Sequence, residues 1–312
     1  MTAAVLALIA AAPCIYWTQG IESRPALESA GIKRLCVPPD QMEVWRKAGF
    51  TVTAVSDADL AQREALPAPG ITSRAGVASP TRAPWIIASG WRFMREPAGK
   101  FGYVLAAPGK AALALAEASA YGADAVVKID AGDVPSAGAM LAFVDSLPPL
   151  DLPPVADFGV VDDGSPIAGE AMNLLARRNL LFEVEKAVSP RFRLNVAIGT
   201  PAYPREEAAD PSAFAQKIRA QLTDEQRSLR VYGSEVVIAR LTSDGRRARL
   251  HLINYGGRDI EGLRVRVRGP YHGGDAYVAG TGKVALQDQV AADGAIEFSL
   301  PKISAYAVVD LR

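Results

Sequence analysis

Two cysteines, two histidines and zero net charge are the scarcities that bound this chain of 312 residues. With Cys14 and Cys36 as its thiols, the sequence holds neither a disulfide framework nor a CxxC metal motif. Both cysteines read as strand residues, in strands that would be neighbours in a parallel sheet, and two buried free thiols are expected in preference to a single bridge. His251 and His272 fall in the C-terminal quarter, so the rest of the chain has no Ser/His/Asp triad and no histidine metal site. Lys+Arg 34 balance Asp+Glu 34; without a basic surplus to neutralise phosphates, nucleic acid is excluded as a general partner. No GxGxxG follows a strand, and neither GxxxxGK[ST], GxSxG nor the calcium pattern DxDxDG occurs. No cofactor and no metal are expected.

Long apolar runs are also missing. The opening MTAAVLALIAAAP ends in small residues as a secretory signal does, but it lacks a basic start and breaks at Pro13, short of the roughly 20 residues that span a bilayer. Residues 1–12 therefore read as a signal peptide or as the leader of the first core strand. The first reading places the protein in the periplasm or outside the cell, and the second in the cytoplasm. No membrane span is expected.

What is present describes a globular chain, 49% hydrophobic and 22% charged, long enough for two domains. Over residues 13–205, short apolar runs alternate with amphipathic segments, the pattern of a parallel sheet wrapped by helices. Candidate strands are PCIYWT, RLCVP, FTVTAV, PWIIAS, DAVVKI, ADFGVV, LLFEVE and RLNVAI. Eight strands would close a barrel, but the region is shorter than the roughly 250 residues typical of that fold. The expected fold class is accordingly α/β, a compact or incomplete (β/α) barrel-like domain, with an open doubly wound sheet as the alternative. Two helices are signalled by their ends: GKAALALAEASAY stops at Gly122, and PIAGEAMNLLARR starts with Ser165 as N-cap and Pro166 in the first turn.

Residues 206–226 read as a charged connecting helix. From 227 to 312 the period changes to that of short strands separated by Asp-Gly, Gly-Gly and Thr-Gly turns, which suits an all-β sandwich domain. In LRVRVRG, Leu263, Val265 and Val267 would face inward, and Arg264, Arg266 and Arg268 outward.

Ligands of parallel α/β sheets meet the loops at the carboxyl ends of the strands. Those ends carry Trp17, Gln19, Glu22, Asp40, Trp91, Arg92, Lys128, Asp130, Asp133, Asp162 and Asp163. Carboxylates, an aromatic ring and amides are what a sugar site uses, since sugar rings stack on Trp faces and hydroxyls need many hydrogen-bond partners. Lys128, two residues before Asp130, shares its side of the strand and would keep Asp130 ionised. Asp133 reads as a cap or turn residue, and Asp162 or Glu22 as the second carboxylate. Trp91 and Arg92 are expected to shape the pocket, with Trp91 as the sugar platform, and Gln19, Trp17, Asp163 and Asp40 as further contacts.

This layout resembles retaining glycoside hydrolases that carry an α/β barrel followed by an all-β domain. Lys128-Ile129-Asp130 resembles the Lys-x-Asp nucleophile motif of the alpha-galactosidase clan, and Asp162-Asp163 the later aspartate that serves there as acid/base. The tail, from LHLINY to SAYAVVDL, is similar to the β-sandwich domains that end many glycosidases, barrel-type beta-galactosidases among them. The resemblance implies a glycoside hydrolase acting on a carbohydrate substrate, with Asp130 as nucleophile and Asp162 or Glu22 as proton donor. A second resemblance, of VADFGVVDDGS and NLLARRNLLFEVE to the noncatalytic flavodoxin-like domains found beside glycosidase barrels, implies that Asp162 and Asp163 are structural. The alternative function is thus a noncatalytic glycan-binding or assembly protein, and a second copy of the chain could supply walls that a short α/β domain lacks.

Overall fold

The computed structural model describes residues 13–72, 85–105 and 108–312. The first lobe contains strands β1 (Cys14–Tyr16), β2 (Arg34–Val37), β3 (Thr51–Ala54), β4 (Glu64–Pro67), β5 (Gly70–Thr72), β6 (Trp85–Ile87), β7 (Lys100–Val104) and β8 (Asp124–Lys128). Its helices are α1 (Arg24–Ser29), α2 (Met42–Lys47), α3 (Asp57–Ala61), α4 (Gly90–Arg95), α5 (Ala111–Tyr121) and α6 (Val134–Ser146). Six of the strands form one parallel sheet in the order β3-β2-β1-β8-β7-β4. Followed round, this is chain order, with no ladder between β3 and β4 among the described residues. The barrel is therefore incomplete.

Alternation along the strands decides what each face of the sheet meets. Ile15, Trp17, Leu35, Val37, Val127 and Ile129 point to one face and are buried under α1, α2, α5 and α6. Cys14, Tyr16, Cys36 and Val126 point to the other, with Leu60 of α3 and Val55 over them. Cys14 and Cys36, on that second face of adjacent strands, form a disulfide. This corrects the expectation of free thiols: the parallel pairing brings their Cα atoms to 5.7 Å, within bridging range.

Three further corrections concern the predicted strands. PWIIAS supplies β6, which pairs antiparallel with β5 in a two-stranded ribbon outside the main sheet. β4 and β7, both in the main sheet, had no predicted counterpart. ADFGVV, LLFEVE and RLNVAI do not continue the first sheet: β9 (Phe158–Val161), β10 (Phe182–Glu185) and β11 (Asn195–Ala197) form a separate parallel sheet, order β10-β9-β11. With α7 (Pro166–Arg177), α8 (Arg205–Ala208) and α9 (Pro211–Leu222) it makes a second lobe cored by Phe158, Phe182, Leu175, Phe214 and Ile218. The predicted helix ends are formed as read: Gly122 caps α5 at φ 62°, and the Ser165 hydroxyl accepts from the Ala168 amide at the start of α7.

The remaining strands build an antiparallel sandwich. They are β12 (Leu229–Tyr232), β13 (Val237–Ser243), β14 (Ala248–Asn254), β15 (Ile260–Arg268), β16 (Gly274–Val278), β17 (Gly282–Val284), β18 (Gln287–Ala292), β19 (Ala295–Ile303) and β20 (Tyr306–Leu311). A four-stranded sheet, β12-β15-β19-β18, faces a five-stranded one, β13-β14-β20-β16-β17. Leu263, Val265 and Val267 enter the sandwich core, as their alternation predicts. β13, β14 and β20 are buried on both faces: Ala239, Leu250 and Val309 point into the sandwich, while Ile238, Ile253, Tyr306 and Val308 belong to the core of the first lobe.

Candidate functional site

Because the six strands run parallel, their carboxyl ends share one edge. β1 leads through Trp17, Thr18 and Gln19 to a single 3-10 turn, Ile21–Ser23, that carries Glu22. β2 leads to the turn Pro39–Gln41 with Asp40, β3 to α3, which begins at Asp57, and β8 to Asp130 and the turn Ala131–Asp133. Register then stacks the residues. Tyr16 is paired with Cys36 on one side and with Lys128 on the other. Two residues on, with the same facing, come Thr18 after β1 and Asp130 after β8.

Below this edge lies a cavity of about 300 Å³, lined by Tyr16, Thr18, Asp57, Arg63, Tyr103 and Lys128, among others. Burial raises the pKa of the Tyr16 phenol, and the negative charges of Asp57 and Asp40 push it further the same way. At neutral pH the hydroxyl is a donor facing two anions. Lys128 is exposed and makes no ion pair among the described residues. Phenol, ammonium, hydroxyl and carboxylate thus meet around one hollow.

The other expected site residues divide clearly. Asp130 is exposed in extended conformation (φ −89°, ψ 164°), and its side chain caps no helix. Asp133 is 2% exposed and accepts the Gly109 amide at 2.6 Å, so it anchors the loop before α5. Glu22 and Asp40 are exposed on the rim, and Gln19 with them. The Glu22 carboxyl folds over Gly20, its Oε2 2.3 Å from where a Cβ would stand. Trp17 is buried, its indole donating to the Ser23 hydroxyl (2.8 Å), which donates to the Gly20 carbonyl (2.6 Å). Rather than contacting a ligand, Trp17 shapes the turn that presents Glu22.

Asp162 and Asp163 lie elsewhere, at the end of β9 in the second lobe. Asp162 takes a bidentate pair from Arg95 (2.7 and 2.8 Å) and the Gly164 amide. Asp163 takes the Ser165 amide and Arg205, and the Ser165 side chain, followed by that amide and Arg205, holds its pKa below the usual range. Both are committed to the loop entering α7, which corrects the expectation that Asp162 faces Asp130. Trp91 is also corrected: its ring packs on Gly169 of α7, beneath the Arg92 guanidinium at 4.3 Å, and Arg92 pairs with Glu64 at 2.7 Å. Among the described residues, the cavity at the edge of the six-stranded sheet is lined by one carboxylate, Asp57. The segments outside those residues contain no Asp or Glu. No described group of three or more His, Cys, Asp or Glu is placed to hold a metal. No described helix is long and apolar enough to cross a membrane.

Tyr16, Thr18 and Asp57 line the hollow below the sheet edge and are not singled out by sequence reading. Tyr16 sits inside an apolar strand and passes for core. Asp57 sits in SDADL, where the Ser56–Asp59 capping box accounts for the acidic pattern without a site.

No family model matches the chain, and no curated protein matches its sequence. Among solved structures it is similar to alpha-L-fucosidase isoenzyme 2 from Paenibacillus thiaminolyticus, with a TM-score of 0.54 and 10% identity, over 85% of this chain and 68% of the fucosidase. A rhamnosidase from Novosphingobium sp. PP1Y matches at TM-score 0.47 and 10% identity, over 92% of this chain and 38% of that one. A beta-galactosidase from Rahnella sp. R3 matches at TM-score 0.40 and 10% identity, over 93% and 65%. The chain spans less than two thirds of the latter two. Its fold is glycoside hydrolase-like.

Proposed function

We propose that the chain is a carbohydrate-active protein that binds a saccharide at the carboxyl edge of the six-stranded sheet. Tyr16, Thr18, Asp57 and Lys128 form the floor, and Asp130 and Glu22 are the exposed carboxylates above it. The observation that carries this reading is the register of Tyr16 with Lys128, which gathers donors and acceptors of both charge signs over one hollow. Sugar hydroxyls need such alternating partners. Lys128→Met and Asp130→Asn, tested by glycan array and calorimetry, should each weaken saccharide binding about ten-fold, the loss of one charge-assisted hydrogen bond. Wild-type affinity in both variants would remove the rim from consideration.

Hydrolysis is a second reading, with Asp130 as nucleophile and Glu22 as proton donor. It is favoured by their positions in the loops that follow the adjacent strands β1 and β8, and a carboxyl separation of roughly 5 to 5.5 Å is what retention would require of them. Against it stands the lining of the cavity at this edge, where Asp57 is the one carboxylate among the described residues. Aryl glycosides of several sugars decide the matter: turnover abolished in both Asp130→Asn and Glu22→Gln supports cleavage, whereas binding without turnover leaves a glycan-binding protein.

The Cys14–Cys36 bridge supports export to an oxidising compartment, periplasmic or extracellular. Thiol labelling of cell fractions tests this, since a cytosolic protein with two free thiols would contradict it.

A further inference from the structure

On the far side of the second lobe, where it meets the sandwich, a cavity of about 440 Å³ opens between the end of α7, the helix α9 and β12. Five arginines line it: Arg177, Arg178, Arg219, Arg227 and Arg230. The carboxylate in its wall is Glu235. One more, Asp224, is shared by Arg219 at 3.4 Å, Arg227 at 3.2 Å and Arg230 at 3.4 Å, all long for charge-assisted bonds. Arg177 and Arg178 offset the partial negative charge at the carboxyl end of α7, and Arg219 does so in the last turn of α9, but Arg227 and Arg230 have no such task.

Arg227 is the second observation. Its side chain is 6% exposed, held by Asp224 and by the Asn179 carbonyl at 3.4 Å, and its Nε is buried with no hydrogen-bond partner. A buried guanidinium with an unused donor, among like charges, is costly unless an anion completes its surroundings. Burial leads the causes that lower its pKa, and Arg219 and Arg230 add to the effect. Two of the guanidiniums are braced against aromatic faces, Arg177 over Trp85 at 4.4 Å and Arg230 over Tyr232 at 5.0 Å, so their donors are already oriented. The volume falls in the range that houses a ring-sized ligand, roughly 300 to 1,000 Å³, and exceeds the needs of a bare tetrahedral ion.

We infer that this cavity binds an oxyanion, sulfate, phosphate or carboxylate, carried on a sugar-sized body. The site is separate from the rim of the six-stranded sheet and does not rest on the reading given to that rim.

Calorimetry on the full chain, with glucose 6-phosphate, a sulfated disaccharide, galacturonic acid, glucose and inorganic sulfate as probes, tests the inference. At least one anionic sugar should bind, weakening as salt is raised, while glucose should not bind here. Arg230→Gln should weaken that binding about ten-fold, as removal of one charged donor does. Ser212→Glu, which sets a carboxylate in the cavity wall at a helix start that tolerates it, should abolish binding while leaving the melting temperature intact. Asp130→Asn should leave it unchanged, which separates this site from the rim. Absence of binding by every anionic sugar, equal binding in Ser212→Glu, or inorganic sulfate binding as tightly as the best anionic sugar would each overturn the inference.

Discussion

Glu117 of α5 has no exposed surface, yet three donors meet its carboxyl: the Tyr103 and Tyr255 hydroxyls and the Ser89 amide. Burial raises its pKa above the ordinary 4.5, outweighing those donors. A carboxyl with a raised folded pKa contributes its full stability below about pH 4.5 and loses it as pH rises through the raised value. Glu117→Gln should therefore flatten urea stability over that range. Glu117→Ala should cost at least about 3 kcal/mol at any pH, since it strands several buried donors. His251 has the opposite sign. Burial, then Arg240 and Arg249, lower its pKa well below 6.5, and its Nδ1 lies 2.6 Å from the Tyr306 hydroxyl. A depressed histidine contributes stability above pH 6.5 that is lost on acidification, at up to about 1.4 kcal/mol per pH unit. His251→Asn should remove that acid slope in urea titrations at pH 5 and 7. At this scale the sequence was partly legible. Lys128 and Asp130 could be placed because strand alternation is local, whereas the partners of Asp162 and Asp163 could not, because Arg95 and Arg205 respectively reach them only through tertiary packing.

Helix α6 crosses α1 so closely that a Cβ on Gly138 would lie 2.1 Å from the Ala30 carbonyl oxygen. Glycine to alanine within a helix ordinarily gains up to about 1 kcal/mol. Here the gain is reversed by overpacking, and Gly138→Ala should destabilise by about 1 to 3 kcal/mol in urea unfolding. Helices with strong end signals were legible: Gly122 and Ser165-Pro166 mark theirs by local backbone chemistry. The strands that escaped have local reasons. EALP of β4 ends in proline and KFGYV of β7 is interrupted by Gly102, so neither shows a clean apolar run. WII of β6 shows one, but periodicity does not say which sheet a strand will join.

The change of period after residue 226 announced the sandwich, and the alternating helices and strands announced the α/β part. That the parallel strands divide between two sheets was not visible, because each run looks alike before it finds neighbours. In the sequence the disulfide stands second to free thiols although its strands read as neighbours, because the register that brings the Cα atoms of Cys14 and Cys36 to 5.7 Å is not written in either strand. The bridge closes a loop of 22 residues within the sheet, which by chain entropy contributes about 3 kcal/mol. Cys14→Ser with Cys36→Ser should lose about that much in urea unfolding under non-reducing conditions, and the wild type should fall to match when reduced. Tyr255 and Tyr306, though carried by the sandwich half of the sequence, lie in the same hydrophobic cluster as Leu115 and Phe143 of α5 and α6, and Tyr255 supplies a donor to Glu117. The seam a reader would cut along after residue 226 is thus no seam in the folded molecule: scissors placed there yield two fragments, each with a wet, sticky face, and a truncation map of this protein should contain no soluble half.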